Sequence, residues 1–237
     1  MSKIDQINKL LKKFTNGNKI HIYKKLKNIL NKNKEDLLLR YNIAVIEQQL
    51  NLSSEARANY NYIIDRQKNL KAMSNLYNLD LKEEKYNQAL IIINKILSVN
   101  ENLEYVIKDK AFVYYKLNKF SESKNICKFF LSKNSNDIVS LNIFGLCCLA
   151  ENEFDKAEEI FKKILKYDKN NISALNSLGR LNHERRNSQK AEAYFVKALK
   201  LNSRSYQVLN NIAGFYREES KYKKSIEFYL KALNLNP

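Results

Sequence analysis

The residue types that most often do chemistry in proteins are few in this sequence, and they are scattered. The two histidines, His21 and His183, belong to no His-Glu-x-x-His arrangement, and no cysteine cluster has the spacing of a metal site. The cysteines are Cys127, Cys147 and Cys148, an odd number with two adjacent, which is unlike a disulfide framework. We therefore predict buried free thiols, no metal site and no catalytic residues.

Phosphate-binding chemistry also lacks a motif, because the 237 residues include only four glycines and no glycine-rich loop. A nucleotide would need such a loop, since its phosphates are held by closely spaced backbone N–H groups. The sequence thus predicts no cofactor and no enzyme activity in this chain.

The chain is strongly basic, with a formal net charge of +17. Residues 1–40 contain eleven Lys or Arg and three acidic residues, which makes nucleic acid a possible partner. A general bias towards Lys, Asn and Ile explains the charge equally well. Mean hydropathy is −0.53, no apolar run reaches the roughly 18 residues that span a bilayer, and the first residues lack a signal-peptide core. We expect a cytoplasmic protein without a membrane span.

The sequence repeats itself every 34 residues. Segments that start at Leu141, Leu175 and Leu209 align without gaps, and the pattern extends back through Ile107 and Met73 to about residue 36, with a slip of one residue. Each segment has apolar residues three and four apart, a short polar break, and a second stretch of the same kind. This pattern predicts an all-α fold of six helix–turn–helix units.

Small residues recur with the same period. They are Ala111, Gly145, Gly179 and Ala213 on the predicted first helices, and Ala89, Ser123, Ala157, Ala191 and Ser225 on the second. A larger side chain would separate the two helices where they approach most closely, so we predict that these residues are buried at the crossings. Large side chains just after the turns, namely Phe120, Phe154 and Tyr222, are expected to fill the remaining space.

With these spacings the units resemble tetratricopeptide repeats. One unit has Leu175, Leu178, Gly179, Ala191, Phe195 and Ala198, and the last has Leu209, Ile212, Ala213, Tyr216, Tyr229, Ala232 and Pro237. The chain differs from the family in having no Trp and no other Pro, so helix ends are expected to depend on Asn-rich corners such as Asn170-Asn171. The resemblance implies a right-handed superhelical solenoid of antiparallel helix hairpins over residues 36–237. Residues 1–35 would form a degenerate basic hairpin that turns at Thr15–Asn18.

In tetratricopeptide proteins the first helices line a concave groove that holds peptides or segments of partner proteins. Amide side chains there can bond a peptide main chain, tyrosines offer flat contact area, and basic residues favour an acidic ligand. The resemblance therefore predicts a non-catalytic protein–protein interaction scaffold. Carried over to this sequence, the groove residues are Lys71, Asn75, Asn78, Tyr105, Lys108, Tyr115, Lys116, Asn142, Asn176, Arg180, His183, Asn210, Asn211 and Arg217.

Two other functions remain open at this stage. The array could recruit substrates for a larger glycosyltransferase or sulfotransferase, and we expect it to continue beyond Pro237. Arrays of that kind have an asparagine ladder, which Asn75 and Asn211 match and the residues at three equivalent positions do not. The second alternative is a nucleic-acid-binding repeat protein, suggested by the basic charge.

Overall fold

The apolar residues spaced three and four apart form one face of each helix, as the sequence predicts. The structure is a computed structural model, and it describes residues 3–14 and 19–235. The predicted turn at Thr15–Asn18 and the last residue, Pro237, lie outside this part of the chain. The described part is all-α and contains no strand. Its helices are α1 (Lys3–Phe14), α2 (Lys19–Lys32), α3 (Leu37–Gln49), α4 (Ser53–Ile64), α5 (Leu70–Lys82), α6 (Tyr86–Val99), α7 (Glu104–Lys116), α8 (Phe120–Lys133), α9 (Ile138–Ala150), α10 (Phe154–Tyr167), α11 (Ile172–Glu184), α12 (Ser188–Leu201), α13 (Tyr206–Glu218) and α14 (Tyr222–Leu233).

The chain divides into two compact units, residues 1–113 and residues 114–237, and the division lies within α7. In unit 1 the helices from α1 to α6 form consecutive contacting pairs, from α1 with α2 to α5 with α6. In unit 2 the same holds from α8 with α9 to α13 with α14, and the first helix α11 also contacts the first helices α9 and α13. Each unit is thus a stack of helix hairpins. The boundary that the sequence suggests at residue 35 stays a prediction.

The small residues lie at the helix crossings, which confirms the prediction from their spacing. A Cβ atom added to Gly145 would lie 2.8 Å from the ring of Phe161, and one added to Gly179 would lie 2.7 Å from the ring of Phe195. Both distances are shorter than van der Waals contact. Each glycine therefore lets an aromatic ring of the second helix rest directly on the backbone of the first.

The first helices α3, α5, α7, α9, α11 and α13 all end in the same backbone turn. In the hairpin of α9 and α10, Asn152 has a φ of 60°, and the N–H of Glu153 donates to the carbonyl of Cys148 at 2.8 Å. The N–H of Asn152 donates to the carbonyl of Leu149 at 3.2 Å, which completes a Schellman motif. The equivalent left-handed residues of the other turns are Asn51, Glu84, Asn118, Arg186 and Ser220. None of the six is glycine, so every turn places a side chain in a conformation that favours glycine.

The Asn-rich corners between hairpins hold both helices that meet there, as the sequence predicts. Asp168 ends α10, and its side chain accepts a hydrogen bond from the N–H of Asn170 at 3.1 Å. Asn171 begins α11, and its side chain accepts from the N–H of Ala174 at 3.0 Å. Asn100, Asn134 and Asn202 form the same turn after α6, α8 and α12. These side chains occupy the corners where the family has proline.

One expectation from the sequence is wrong. Phe120 and Phe154 are half-buried just after their turns, but Tyr222 is 61% exposed at the equivalent place. The physical reason is that the rings at this position are covered by a neighbour, Tyr115 beside Phe120 and the Arg185 guanidinium over Phe154, whereas among the described residues only α12 and α13 lie near α14 and leave Tyr222 uncovered.

Replacement of Gly179 by Ala should destabilise the fold, because the added methyl group would overlap the buried ring of Phe195. We expect the free energy of unfolding to fall by about 1–3 kcal/mol, as for other overpacked cores. The matched control is Gly214→Ala, where the new Cβ meets only the Tyr229 hydroxyl, at 3.7 Å. This control should be neutral or stabilising by up to about 1 kcal/mol through helix propensity. Urea denaturation followed by circular dichroism measures both, and equal effects would contradict the crossing argument.

Replacement of Arg186 by Gly should stabilise the chain, because the left-handed conformation strains a residue that has a Cβ atom and suits glycine, which has none. The strain is about 1 kcal/mol, partly offset by the entropy that glycine gains on unfolding. Asn152→Gly should gain less, since asparagine tolerates this conformation. The two variants are compared by their urea denaturation midpoints, provided that the dependence of the unfolding free energy on urea concentration is the same for both. A lower midpoint for Arg186→Gly than for Asn152→Gly would show that the turn is not strained.

Candidate functional site

In unit 1 the predicted groove residues of α5 differ in their exposure and in their hydrogen bonds. Lys71 and Asn78 are exposed. Asn75 is half-buried, and its amide nitrogen donates to the hydroxyls of Tyr41 and Tyr60, each at 3.1 Å. The side chain of Asn75 is thus fixed within the unit, and its two tyrosine partners were not identified from the sequence.

The predicted residues of α7 fall on both sides of the boundary between the units. In unit 1, Tyr105 is 54% exposed and Lys108 is half-buried. In unit 2, Lys116 is exposed, and the half-buried ring of Tyr115 lies 6.2 Å from the ring of Phe120. These residues are therefore considered with their own unit and not as one site.

In unit 2 the first helices bring three of the predicted asparagines into a row of half-buried amides. The amide nitrogen of Asn211 on α13 donates to the side-chain oxygen of Asn176 on α11, at 3.0 Å. The side-chain oxygen of Asn142 on α9 is buried and accepts no hydrogen bond from the described residues. Asn210, which the sequence aligns with Asn142 and Asn176, is exposed. The hydrogen bond between neighbouring helices therefore involves Asn211 and not Asn210.

Four charged or ionisable groups follow the asparagines towards the turns of unit 2. His183 Nε2 lies 3.3 Å from Glu218 Oε2, and its ring stands edge-on to Phe215 with centroids 5.3 Å apart. Arg217 Nη2 lies 3.6 Å from Glu218 Oε1. Arg180 is half-buried on α11. The sequence analysis did not identify Glu218 as a site residue. Arg217 is the repeat equivalent of His183, and Glu218 is the residue that follows it.

A cavity of about 460 Å³ adjoins this histidine. Its lining is almost entirely polar and mixes both signs of charge. The lining residues are His183, Glu184, Arg186, Ser188, Glu218 and Glu219. We define the first-helix surface of unit 2 as Asn142, Asn176, Arg180, His183, Asn211 and Arg217 on α9, α11 and α13.

One position of the second helices, which we call the linking position, makes a polar contact to the next hairpin in α4, α8, α10 and α12, whereas in α6 it is the apolar Leu90. In unit 1 it is Arg57 on α4, which contacts Asp80 and lies 2.7 Å from Glu83 Oε2. Asp80 is almost fully buried, and burial raises the pKa of its carboxyl above the usual range although Arg57 acts in the opposite direction. This pair joins the second helix α4 to the first helix of the next hairpin, α5.

In unit 2 the linking position is Lys124 on α8, Glu158 on α10 and Glu192 on α12. Lys124 contacts Glu151 and lies 2.8 Å from Glu153 Oε1. Glu158 is paired with an arginine of the next turn, and Glu192 accepts a hydrogen bond from a tyrosine of α13. The side chain at the linking position is basic in α8 and acidic in α10 and α12. The group opposite it is a carboxylate in the first case and a hydrogen-bond donor in the other two, so each of these three side chains has a complementary partner.

The three cysteines are buried free thiols, as the sequence predicts. Burial raises the pKa of Cys127 and of Cys148 to about 12, so neither is a thiolate at neutral pH. Among the described residues no group of three or more His, Cys, Asp or Glu could hold a metal ion. No helix in the described ranges is both long enough and apolar enough to cross a bilayer.

Three consecutive segments, residues 139–171, 172–205 and 206–237, match the sequence model of the tetratricopeptide repeat. The chain carries tetratricopeptide repeats. The helices of the described residues fit about six to seven such units. Among curated proteins no sequence matches this chain.

Solved structures of tetratricopeptide proteins have the same fold. One from Parabacteroides merdae has a TM-score of 0.87 at 14% identity, covering 98% of this chain and 93% of that one. TTC0263 from Thermus thermophilus has a TM-score of 0.64 at 16% identity, covering 71% and 92%. YrrB, described as having an unusual peptide-binding site, has a TM-score of 0.52 at 21% identity, covering 78% and 95%. At these identities the likeness concerns the fold alone.

Replacement of Lys124 by Met should weaken the link between α8 and the next turn. We expect a loss of about 1 kcal/mol in unfolding free energy at pH 7, the upper end for partly exposed pairs. The hydrogen bond from Lys124 lowers the pKa of Glu153 to about 2, from an ordinary 4.5. A carboxyl with a lowered pKa stabilises the fold above its ordinary pKa, and this contribution disappears as the pH falls towards 2.

The difference in the free energy of unfolding between wild type and Lys124→Met should therefore become smaller as the pH falls below 4.5. Thermal unfolding at pH 7 and at about pH 3 measures it. Lys166→Met, which removes an exposed lysine of α10, should change little at either pH. A gap for Lys124→Met that stays constant with pH would mean that Glu153 does not depend on this lysine.

Proposed function

We propose that the first-helix surface of unit 2 binds a peptide segment of another protein. The observation that carries this proposal is the pair of half-buried amides on neighbouring first helices, Asn176 on α11 and Asn211 on α13, which share a hydrogen bond. Asn142 lies one repeat earlier on α9, and its buried oxygen accepts no hydrogen bond from the described residues, so this side chain would have to turn outward before a ligand N–H group could bind it.

The neighbouring amides favour an extended main chain as the ligand. The bond between Asn176 and Asn211 uses one oxygen and one nitrogen, and within the described residues the nitrogen of Asn176 and the oxygen of Asn211 bond no other group. A peptide main chain offers a donor and an acceptor at every residue, which matches this supply. The distance between neighbouring first helices determines how far apart along the peptide the hydrogen bonds to these amides would recur.

The charge on the surface favours an acidic segment. Arg180 is half-buried beside the amides, and Arg217 is 60% exposed at the end of α13. Arginine binds carboxylates through two parallel hydrogen bonds, so these two residues provide places for acidic side chains or a free carboxyl terminus. The peptide-binding site described for YrrB is a precedent for this use of the fold.

Unit 1 offers a second set of groups for a partner. Lys71, Asn78 and Tyr105 are exposed on α5 and α7, and Lys108 is half-buried. We propose the same role for them within their own unit. The substrate-recruiting and nucleic-acid-binding hypotheses stay predictions, because none of these contacts bears on them.

Selection of peptides against the full chain from a displayed library tests this function. We expect acidic, extended peptides to be enriched. Replacement of Asn176, Arg180 and Asn211 together by Ala should weaken their binding by about tenfold or more in fluorescence anisotropy, since these groups lie at the centre of the proposed contact.

The control variant replaces Asn125 and Lys197 by Ala. Both are exposed on second helices, in α8 and α12, and their loss should leave the affinity unchanged. Circular dichroism verifies that each variant stays folded. Selected peptides that bind the triple variant as tightly as wild type would place the binding surface elsewhere.

A further inference from the structure

The corners between the hairpins of unit 2 are strongly basic. We define the corner edge as residues 129–139, 163–173 and 197–207, three equivalent windows that each contain the end of a second helix, a corner and the start of the next first helix. Together they contain seven Lys or Arg and two acidic residues, so positive charge is in clear excess. Six of the basic side chains are exposed, namely Lys133, Lys166, Lys169, Lys197, Lys200 and Arg204.

The three windows lie side by side at one end of the helices. Because paired helices are antiparallel, every second helix ends, and every following first helix begins, at the same end of unit 2. The seventh basic residue, Lys163, donates from Nζ to the carbonyl of Ser135 in the preceding window, at 2.8 Å. Ile172 of the second window and Leu199 of the third pack against the same apolar cluster. The corner edge is therefore one surface and not three separate loops.

The positive charges of the corner edge are not neutralised within the fold. Its two acidic residues are half-buried and accept backbone hydrogen bonds, Asp137 from the N–H of Ser140 at 2.8 Å and Asp168 from that of Asn170 at 3.1 Å. Among the described residues, none of the six exposed basic side chains forms an ion pair with a carboxylate. Their charges are thus available to an anionic partner.

Other ends of hairpins in this chain lack this excess. At the turns of unit 2, Glu153 lies 2.8 Å from Lys124 Nζ and Asp155 contacts Arg185. The equivalent corner windows of unit 1, residues 62–72 and 95–105, contain four basic and three acidic residues. A general bias towards lysine would affect every corner alike, so the corner edge of unit 2 needs a separate explanation.

Exposed apolar side chains are interleaved with these basic residues. Among the described residues of α8 to α13, six of the seven large apolar side chains that are exposed lie on the corner edge, each 36–51% exposed. The seventh, Val196, precedes the third window by one residue. Apolar side chains gathered in this way mark an interaction surface, unlike ones scattered singly. The six are Phe129, Ile138, Val139, Tyr167, Leu201 and Tyr206.

An anionic lipid surface fits this combination better than a nucleic acid does. Three of the six apolar side chains are aliphatic, and bases stack on rings, whereas the interface of a bilayer accepts aliphatic and aromatic side chains alike. Six of the seven basic residues are lysines, which act as point charges and lack the planar fork with which arginine binds a single phosphate. Point charges suit the diffuse negative potential of a lipid surface.

We propose that the corner edge of unit 2 docks on an anionic membrane surface. The exposed lysines lie over the headgroups, and Phe129, Tyr167 and Leu201 enter the boundary between headgroups and acyl chains. Such binding combines electrostatic attraction with the burial of apolar area. It uses the corners and not the first-helix surface, so it does not rest on the proposed peptide binding.

Co-sedimentation of the full chain with vesicles tests this inference. Phosphatidylcholine vesicles with about 30% phosphatidylserine should bind the chain at least about 100-fold more tightly than pure phosphatidylcholine, and added salt should weaken the binding by screening the charges. Replacement of Lys166, Lys200 and Arg204 together by Gln should lower the partition coefficient about 100-fold, because each such charge contributes a factor of about five.

Two further variants separate docking at the corner edge from the attraction of a basic chain in general. Replacement of Tyr167 and Leu201 together by Ser leaves the charge unchanged and should still weaken binding by about tenfold, because less apolar area is buried. The matched control replaces Lys156, Lys190 and Lys223 by Gln, which removes the same charge from exposed positions near the turns of unit 2 and should change binding by less than about threefold. Circular dichroism verifies that each variant is folded.

Three results would overturn the proposal. They are no binding to the anionic vesicles at about 100 mM salt, equal losses in the corner and control variants, and no loss in the variant without Tyr167 and Leu201. Binding of single-stranded RNA that the corner variant abolishes, while its vesicle binding is unchanged, would assign the corner edge to nucleic acid instead. Peptides bound at the first-helix surface should keep their affinity for every variant, so failure of either proposal can be recognised separately.

Discussion

The closest contact between the paired helices decides what the rest of each hairpin can be. At Gly145 and Gly179 an aromatic ring of the second helix lies against the backbone of the first, with no room for a Cβ atom. Because interiors are packed as densely as crystals, this distance fixes the separation of the two helices and the direction in which the remaining side chains point. Every outward position on the first helices, including the proposed binding residues, is placed by that contact.

The same crossing is filled in other ways along the chain. In the hairpin of α5 and α6 the equivalent residues are Tyr77 on the first helix and Ile93 on the second, and both are buried. The large side chain has moved to the opposite helix. The Tyr77 hydroxyl then needs a partner and donates to Asp109 at 2.9 Å, in a place where burial raises the pKa of that carboxyl. The crossing can therefore be filled from either helix, and the residue types on the two sides change together.

Much of the fold could be predicted from the sequence because its determinants repeat. Small residues, apolar faces and polar breaks return every 34 positions, and each has a direct physical meaning. The left-handed turn residues could not be predicted, because Asn152, Arg186 and Ser220 share no chemistry and are held by backbone hydrogen bonds alone. The bond between Asn176 and Asn211 was missed for another reason: it joins residues 35 apart, one place off the period.

The links between hairpins explain why binding and stacking can coexist in one small repeat. Arg57, Lys124 and Glu158 lie on second helices and reach the turn of the next hairpin, so the register of the stack depends on those helices. On the outward side of α11 and α13 the amides of Asn176 and Asn211 add a hydrogen bond to the stack. Arg180 and Arg217 take no part in the crossings or the links, so they can vary to suit the proposed partner without loosening the hairpins.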